Sequence, residues 1–270
     1  IQLQTEPDVK ILLTNDDGIE APGIRALHRA LQGLGDVTTI APYTVQSATS
    51  HGVTFHEPLM AHTTTMEDGS VGHAIDGRPA DCVKVALRSL WAELHGEGTR
   101  PDITISGMNS GANVGINIIY SGTVAAAVES AFLGVPSIAV SLHLGDRTRI
   151  FYDRAAEIAR EAIDLILAHP LDPHAVINVN VPRTEVADAP MPPIRVCAMN
   201  TAASDDDYEK RASPGGQSYY WAAGNGMAFM HTHPETDVEF LMDGCVTVTP
   251  IEFDLTDHPR LQTWRERLEG

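Results

Sequence analysis

The residues with most chemical potential in this chain are two adjacent carboxylates, Asp16 and Asp17. They stand between Asn15 and Gly18 at the end of the apolar run Val9-Lys10-Ile11-Leu12-Leu13-Thr14. Side chains on an extended strand alternate between faces, so neighbouring aspartates converge only where the backbone turns. Gly18 permits that turn. Two negative charges held so close repel each other, and a hard divalent cation with oxygen ligands, Mg²⁺ or Mn²⁺, would offset the repulsion. The alternative is that one aspartate caps a helix beginning near Pro22 while the other is solvated.

A second stretch, Ser106 to Thr123, holds Gly107, Gly111 and Gly115 at four-residue spacing after the strand-like segment Asp102–Ser106. This is not the tighter Gly-x-Gly-x-x-Gly of dinucleotide sites, and no Gly-Lys-Ser/Thr is present for a Walker-type loop. What is left is an amide-rich loop able to approach an anion closely. Ser121-Gly122-Thr123 precedes a helix of small residues, Val124 to Leu133, and a helix start offers amides and hydroxyls to phosphate. Equally, Ser121 or Thr123 could simply cap that helix, with the glycines allowing tight packing.

Asn109 lies just past its strand, as Asp16 and Asp17 do, and Ser47 falls in the loop that begins at Ala41-Pro42. If the two strands are parallel neighbours, the three residues meet at one sheet edge and Ser47 can reach it. Two carboxylates, an amide oxygen and a hydroxyl would make an open oxygen site. An ion held there can lower the pKa of a water and neutralise phosphoryl oxygens, the machinery of phosphate-ester hydrolysis. Other chemistries fare worse. His231-Thr232-His233 is the tightest histidine pair and lacks a partner at zinc-site spacing. Ser47 lacks the Gly-x-Ser-x-Gly elbow, and the adjacent aspartates differ from the Asp-x-Asp of covalent aspartyl-phosphatases. Tyr219, Tyr220 and Trp221 could stack on a base, or serve a folded arm or subunit contact.

The elements that must position these groups alternate. A helix from Pro22 has Ile24, Leu27, Leu31 and Leu34 on one face, with Gly35 placed to end it; Val37 to Ala41 is the next strand. Residues 53 to 75 read as β ribbon, and Pro79 opens a helix with Cys82, Val83, Ala86, Leu87, Leu90, Trp91 and Leu94 inward. Strands at Pro136 to Ser141 and Val176 to Val181 flank a helix over Asp153 to Ala168. The pattern predicts an α/β fold with a Rossmann-like, doubly wound, mostly parallel sheet. From Pro190 the texture changes to loops, including Asp205-Asp206-Asp207, after a polar lead over residues 1–8 at the other end. The expected organisation is a catalytic core over 9–189, a β-rich extension or oligomerisation arm over 190–245, and a closing strand with C-terminal tail over 246–270.

The composition bounds the partners. With 36 acidic and 18 basic residues in 270, the formal charge is −18, a field that opposes contact with DNA, RNA backbone or anionic lipid. A small anionic substrate remains compatible if a metal and backbone amides supply local positive potential. Cys82, Cys197 and Cys245 lack metal-type spacing, which points to free thiols in a reducing cytoplasm. No signal-peptide pattern or membrane-spanning apolar run is present.

Ile11-Leu12-Leu13-Thr14-Asn15-Asp16-Asp17-Gly18, Ala21-Pro22-Gly23, Ala41-Pro42 and Gln46-Ser47 together resemble the survival protein SurE family of nucleotidases. Ser106-Gly107-Met108-Asn109-Ser110-Gly111, Tyr120-Ser121-Gly122-Thr123, Asn178-Val179-Asn180-Val181-Pro182, Tyr220-Trp221, Thr236-Asp237 and Val246-Thr247-Val248-Thr249-Pro250 continue the resemblance, which spans residues 9 to 257. It implies a metal-dependent phosphatase acting on nucleoside 5′- and 3′-monophosphates, and a homodimer or homotetramer built through a C-terminal arm. It also implies metal ligands at Asp16, Asp17, Ser47 and Asn109, with Asp16 and Asp17 catalytic. Phosphate or substrate contacts fall on Asn15, Gly107, Asn113, Ser121, Gly122 and Thr123. Ala48, Asn117 and Val128-Glu129-Ser130 depart from the family pattern, leaving room for a non-nucleotide phosphomonoester; a catalytically inactive nucleotide-binding scaffold is the other alternative, and the intact four-ligand set argues against it.

Overall fold

The computed structural model describes residues 9–66, 69–205, 207–223 and 226–270; the polar lead over 1–8 and Asp206 lie outside the described residues. In chain order the elements are β1 (Val9–Thr14), α1 (Pro22–Leu31), β2 (Gly35–Pro42), β3 (Ala61–Thr65), β4 (Val71–Ile75) and α2 (Pro79–Val85). A π-helical turn, Ala86–Leu90, leads into α3 (Trp91–His95), followed by β5 (Ile103–Ser110), a 3-10 helix (Gly115–Tyr120), α4 (Gly122–Phe132), β6 (Ser137–Leu142), α5 (Tyr152–Leu167) and β7 (Val176–Val181). The remainder forms β8 (Ile194–Val196), β9 (Asp207–Ala212), β10 (Ser218–Ala223), α6 (Asp237–Met242), β11 (Val246–Ile251) and α7 (His258–Glu269).

β1 is apolar on both faces because both are covered. Ile11 and Leu13 pack with Ile24, Leu27 and Leu31 of α1 and Ala155, Ile158 and Ala159 of α5. Leu12 faces the other way, into Ile40, Ile75, Cys82, Ala86 and Trp91. Farther along that second face, Val124, Ala127 and Ala131 of α4 meet Ala139 and Val176. The result is the expected doubly wound sheet between two helical layers.

The main sheet runs β3-β4-β2-β1-β5-β6-β7-β11-β8. Strands β4, β2, β1, β5, β6 and β7 are parallel, while β3 and β11 run antiparallel to β4 and β7. The chain builds outward from β1 through β2 and β4, then returns to the opposite side of β1 with β5, β6 and β7. Strand order therefore reverses between β1 and β5, and in an open α/β sheet ligands bind outside the carboxyl ends at such a reversal.

Several local expectations change. Gly35 does not end α1, which stops at Leu31; it opens β2, where a Cβ would stand 1.9 Å from the Val9 carbonyl oxygen, so the β1–β2 contact requires glycine. β5 does not end at Ser106, because pairing with β6 resumes at Asn109 and Ser110 after a register shift. The ribbon over 53–75 narrows to the antiparallel pair β3–β4. Within 190–245, β8 joins the main sheet beside β11 and α6 buries Val238 and Leu241, whereas β9 and β10 form a separate hairpin with every residue exposed. Helix α7, in which no residue is buried, follows β11 where the sequence predicts only a C-terminal tail.

Candidate active site

Where β1 ends, Asn15 is fully buried and its Nδ2 donates to the Gly18 carbonyl at 2.8 Å, tying the turn that carries the carboxylates. Gly18 has φ +94°, a conformation that glycine adopts without the steric cost a side chain would add. Asp16 is buried and its Oδ1 accepts from the Thr123 hydroxyl at the start of α4. Asp17 Oδ2 accepts from the Ser110 amide at the end of β5, 2.8 Å away. Each aspartate is thus held by a different neighbouring element, and both line one cavity of about 660 Å³ at the strand reversal, a volume typical of pockets that enclose a whole small ligand.

Ser47, Asn109, Asn113 and Ser121 line the same cavity. Asn109 Nδ2 donates to the Gly111 carbonyl at 2.7 Å, which fixes the amide and leaves its Oδ1 as the available donor to a cation. The Ser47 loop is tacked down on both sides of that residue. The Gln46 amide bonds the Asp16 carbonyl at 2.7 Å, and Ser50 bonds the carbonyls of Tyr120 and Ile119 through its amide and hydroxyl. Farther along, His51 Nε2 meets Glu129 Oε2 at 2.8 Å, and Lys84 Nζ meets Glu129 Oε1 at 3.0 Å. Burial opposes ionisation of Glu129, but these two partners outweigh it and hold the carboxyl below its usual range. One helix, α4, therefore anchors Asp16 through Thr123 and the Ser47 loop through Glu129.

Four of the residues read from the sequence stand behind the cavity. Thr123 is fully buried with its hydroxyl committed to Asp16, and Asn15 holds the turn. A Cβ on Gly107 would lie 2.2 Å from the Val140 carbonyl oxygen, and one on Gly122 would lie 2.9 Å from the Asp16 Cβ. Both glycines allow close packing, as the alternative reading had it. Ser121 does cap α4, accepting from the Val124 amide at 3.1 Å, while remaining on the cavity wall. Asn113 is held by its amide nitrogen Nδ2 on Ser141 Oγ, by its backbone amide on Asn180, and by its carbonyl, which accepts from Asn178 and Asn180.

Burial pushes the Asp16 carboxyl up to about 6, with the Asp17 charge adding to the rise and the Thr123 hydrogen bond opposing it. A buried carboxylate beside a second one is what an added positive charge would relieve. The donor set is two carboxylates, an amide oxygen and a hydroxyl, which suits a hard cation better than zinc. Among the described residues no cluster of three or more His, Cys, Asp or Glu could hold a metal. The rings of His231 and His233 meet each other, Nε2 to Nε2 at 3.1 Å.

The family model "Survival protein SurE" matches residues 11–206. A protein named 5′-nucleotidase SurE from Rhodopirellula baltica is 43% identical over 92% of this chain and 94% of its own length. Its namesake from Heliobacterium modesticaldum is 40% identical over 97% and 93% respectively. The chain belongs to the SurE family. Its fold superposes on the crystal structure of the SurE protein from Aquifex aeolicus with a TM-score of 0.80 and 33% identity, covering 96% of this chain and 99% of that one.

The SurE motifs do not include everything on the cavity wall. His143 and Arg147 follow β6, Arg183 follows β7, and Gly226 and Met227 reach the wall from beyond the hairpin. Asn117, one of the departures from the family pattern, bonds the Gly226 carbonyl through Nδ2 at 2.6 Å. The aromatic residue on the wall is Tyr120, whereas Tyr219, Tyr220 and Trp221 are exposed on β10, away from it. Position after strands β6 and β7 was the available sequence signal for His143, Arg147 and Arg183, since all parallel strands of a doubly wound sheet end on the same edge.

Proposed function

We propose that this chain is a divalent-metal-dependent phosphatase that hydrolyses nucleoside 5′- and 3′-monophosphates to nucleoside and inorganic phosphate. The observation that carries the reading is the convergence of Asp16, Asp17, Ser47 and Asn109 on one cavity at the strand reversal, the first three on hydrogen-bonded turns or loops and Asn109 near the end of β5. That the R. baltica and H. modesticaldum relatives are named 5′-nucleotidases supports the nucleotide as substrate.

Asp16, Asp17, Ser47 and Asn109 would hold the ion, Mg²⁺ or Mn²⁺. When bound, the ion supplies charge neutralisation at the phosphoryl oxygens and a lowered pKa for a water. Asn113 and Ser121, which line the same cavity, would orient the phosphate, and the exposed ring of Tyr120 offers an apolar face to the nucleoside. Asp16 or Asp17 accepts the proton of the attacking water, and Thr123, Gly122, Asn15 and Gly107 keep the two carboxylates and Asn109 in place.

The three cysteines are free and buried, which suits a reducing compartment, and among the described residues no helix is long and apolar enough to cross a membrane. The hairpin β9–β10, with Tyr208, Tyr219, Tyr220 and Trp221 exposed, is the proposed assembly arm of a homo-oligomer. The test is Asp17→Asn assayed on AMP with Mg²⁺ and with Mn²⁺. Loss of at least about a hundredfold in kcat is expected for removal of a charged group acting at the reacting phosphate; full retention would remove the reading.

A further inference from the structure

The cavity has a second, cationic end that a single phosphate does not use. Asp16 and Asp17 follow β1 and Asn109 is the last residue but one of β5, while His143 and Arg147 follow β6 and Arg183 follows β7. With the order β1-β5-β6-β7 and about 4.8 Å between neighbouring strands, β6 and β7 are displaced sideways from β1 by roughly 10 and 14 Å, and both end three residues further along the sheet than β1 does. Neither Arg147 nor Arg183 makes a salt bridge with a described residue, in a chain whose formal charge is −18. Asp146 shares the rim but commits a carboxylate oxygen to its own turn, where Oδ1 accepts from the amide and hydroxyl of Thr148.

His143 adds an independent sign of a ligand. It is only 5% exposed, lines the cavity, and its ring forms no hydrogen bond with a described residue. Its ring nitrogens open on the cavity rather than lying sealed in the core, so an acceptor that occupies that space can pair with them. Burial, with Arg183 adding to the effect, lowers the imidazole pKa, so the ring is neutral at pH 7 and can present an N–H to an acceptor.

We propose that Arg147, Arg183 and His143 form a second anion subsite, and that the preferred substrate is a nucleotide carrying a further phosphate across its sugar, as in a nucleoside 3′,5′-bisphosphate. The inference rests on the phosphatase reading for the scissile end and adds the chemistry of the other end. The lateral strand spacing favours a longer substrate: the two phosphates of a diphosphate share one oxygen, whereas a sugar between two phosphates spans more of the gap from the carboxylate end to the arginines. The two guanidiniums can each hold a phosphate bidentately.

The experiment compares wild type, Arg147→Gln and Arg183→Gln on 5′-AMP, ADP and adenosine 3′,5′-bisphosphate. Hydrolysis is followed by phosphate release, and binding by calorimetry with and without Mn²⁺. Wild type is expected to favour the bisphosphate over both AMP and ADP in kcat/KM, and each substitution to lower the bisphosphate-to-AMP ratio about tenfold, the ordinary weight of a charged hydrogen bond. A wild-type ratio at or below one, a ratio the substitutions leave unmoved, or equal preference for ADP would overturn the proposal. If no compound is hydrolysed the phosphatase reading fails, and calorimetry still decides the subsite. Tighter binding of the bisphosphate than AMP, lost in the arginine variants, supports it, and equal affinities refute it.

Discussion

Asp16→Asn should make the metal-free protein more stable at neutral pH while removing a ligand from the site. The carboxyl titrates near 6 in the fold against an ordinary value of 3.8. At about 1.4 kcal/mol per pH unit, the gap corresponds to roughly 3 kcal/mol. Because the folded-state pKa is the higher one, the folded chain keeps a proton between about pH 3.8 and 6 that the unfolded chain has released. Stability is therefore least penalised below the unfolded value, falls as pH rises through that window, and carries the whole penalty above about 6. Asparagine keeps the size and accepts the Thr123 hydroxyl without the charge. In a chelator at pH 8 the variant should melt higher than wild type by several degrees, at about 2 °C per kcal/mol for a chain of this length, and the difference should close as pH approaches 4. Asp17→Asn, which removes only the neighbouring charge, should recover a smaller part, because burial is the larger cause. The assay is thermal denaturation followed by circular dichroism in EDTA across pH 4 to 8. A variant less stable than wild type at pH 8, or a gap that does not change with pH, would refute the reasoning. Adding Mn²⁺ should reverse the order, since wild type gains stability by mass action and the variant gains less.

Two further substitutions probe the supports of the site. Glu129→Ala removes the acceptor shared by His51 and Lys84; with Lys84 part-exposed and able to return to water, a loss of about 1–3 kcal/mol is expected. The Glu129 pKa is depressed, so that contribution is present above the ordinary glutamate value of 4.5 and is lost as pH falls through the lower folded-state value; urea titrations at pH 7 and near pH 4 should show the variant's deficit shrink in acid. Gly122→Ala would drive a Cβ to within 2.9 Å of Asp16 Cβ and 3.0 Å of its Oδ2. Calorimetry with Mn²⁺ should show weakened metal binding, and unaltered affinity would mean that α4 does not set the position of Asp16.

Much of the site was legible because its chemistry is local. Asp16, Asp17 and Gly18 are consecutive, and a strand that ends in two acids and a glycine announces a turn whatever surrounds it. Asn109, Asn113 and Ser121 sit in a glycine-rich stretch that reads as a loop able to approach an anion, although β5 carries on through Asn109 to Ser110. Less legible was the division of labour. Thr123, Gly122 and Gly107 share those motifs with the cavity-lining residues yet face packing partners from distant segments, Asn15 turns back onto Gly18, and a motif carries no information on which side of a turn meets solvent. Gly35 was misplaced for a similar reason, since a glycine after an amphipathic run resembles a helix stop and its true constraint is the Val9 carbonyl of another strand.

By itself the sequence determined the alternation of strands and helices, the parallel sheet that follows from it, and the paired carboxylates at a strand end. Those depend on periodicity and on neighbours a few residues apart. Only the tertiary structure decided that β5 returns to the far side of β1, so that Asn109 rather than the β2 loop alone faces the aspartates. Nor could the sequence place Glu129, 78 residues from His51, beneath the Ser47 loop, or collect His143, Arg147 and Arg183 on one wall. Such contacts are fixed by the order in which strands are laid into the sheet, a global outcome of burying both its faces, which no stretch of residues encodes alone.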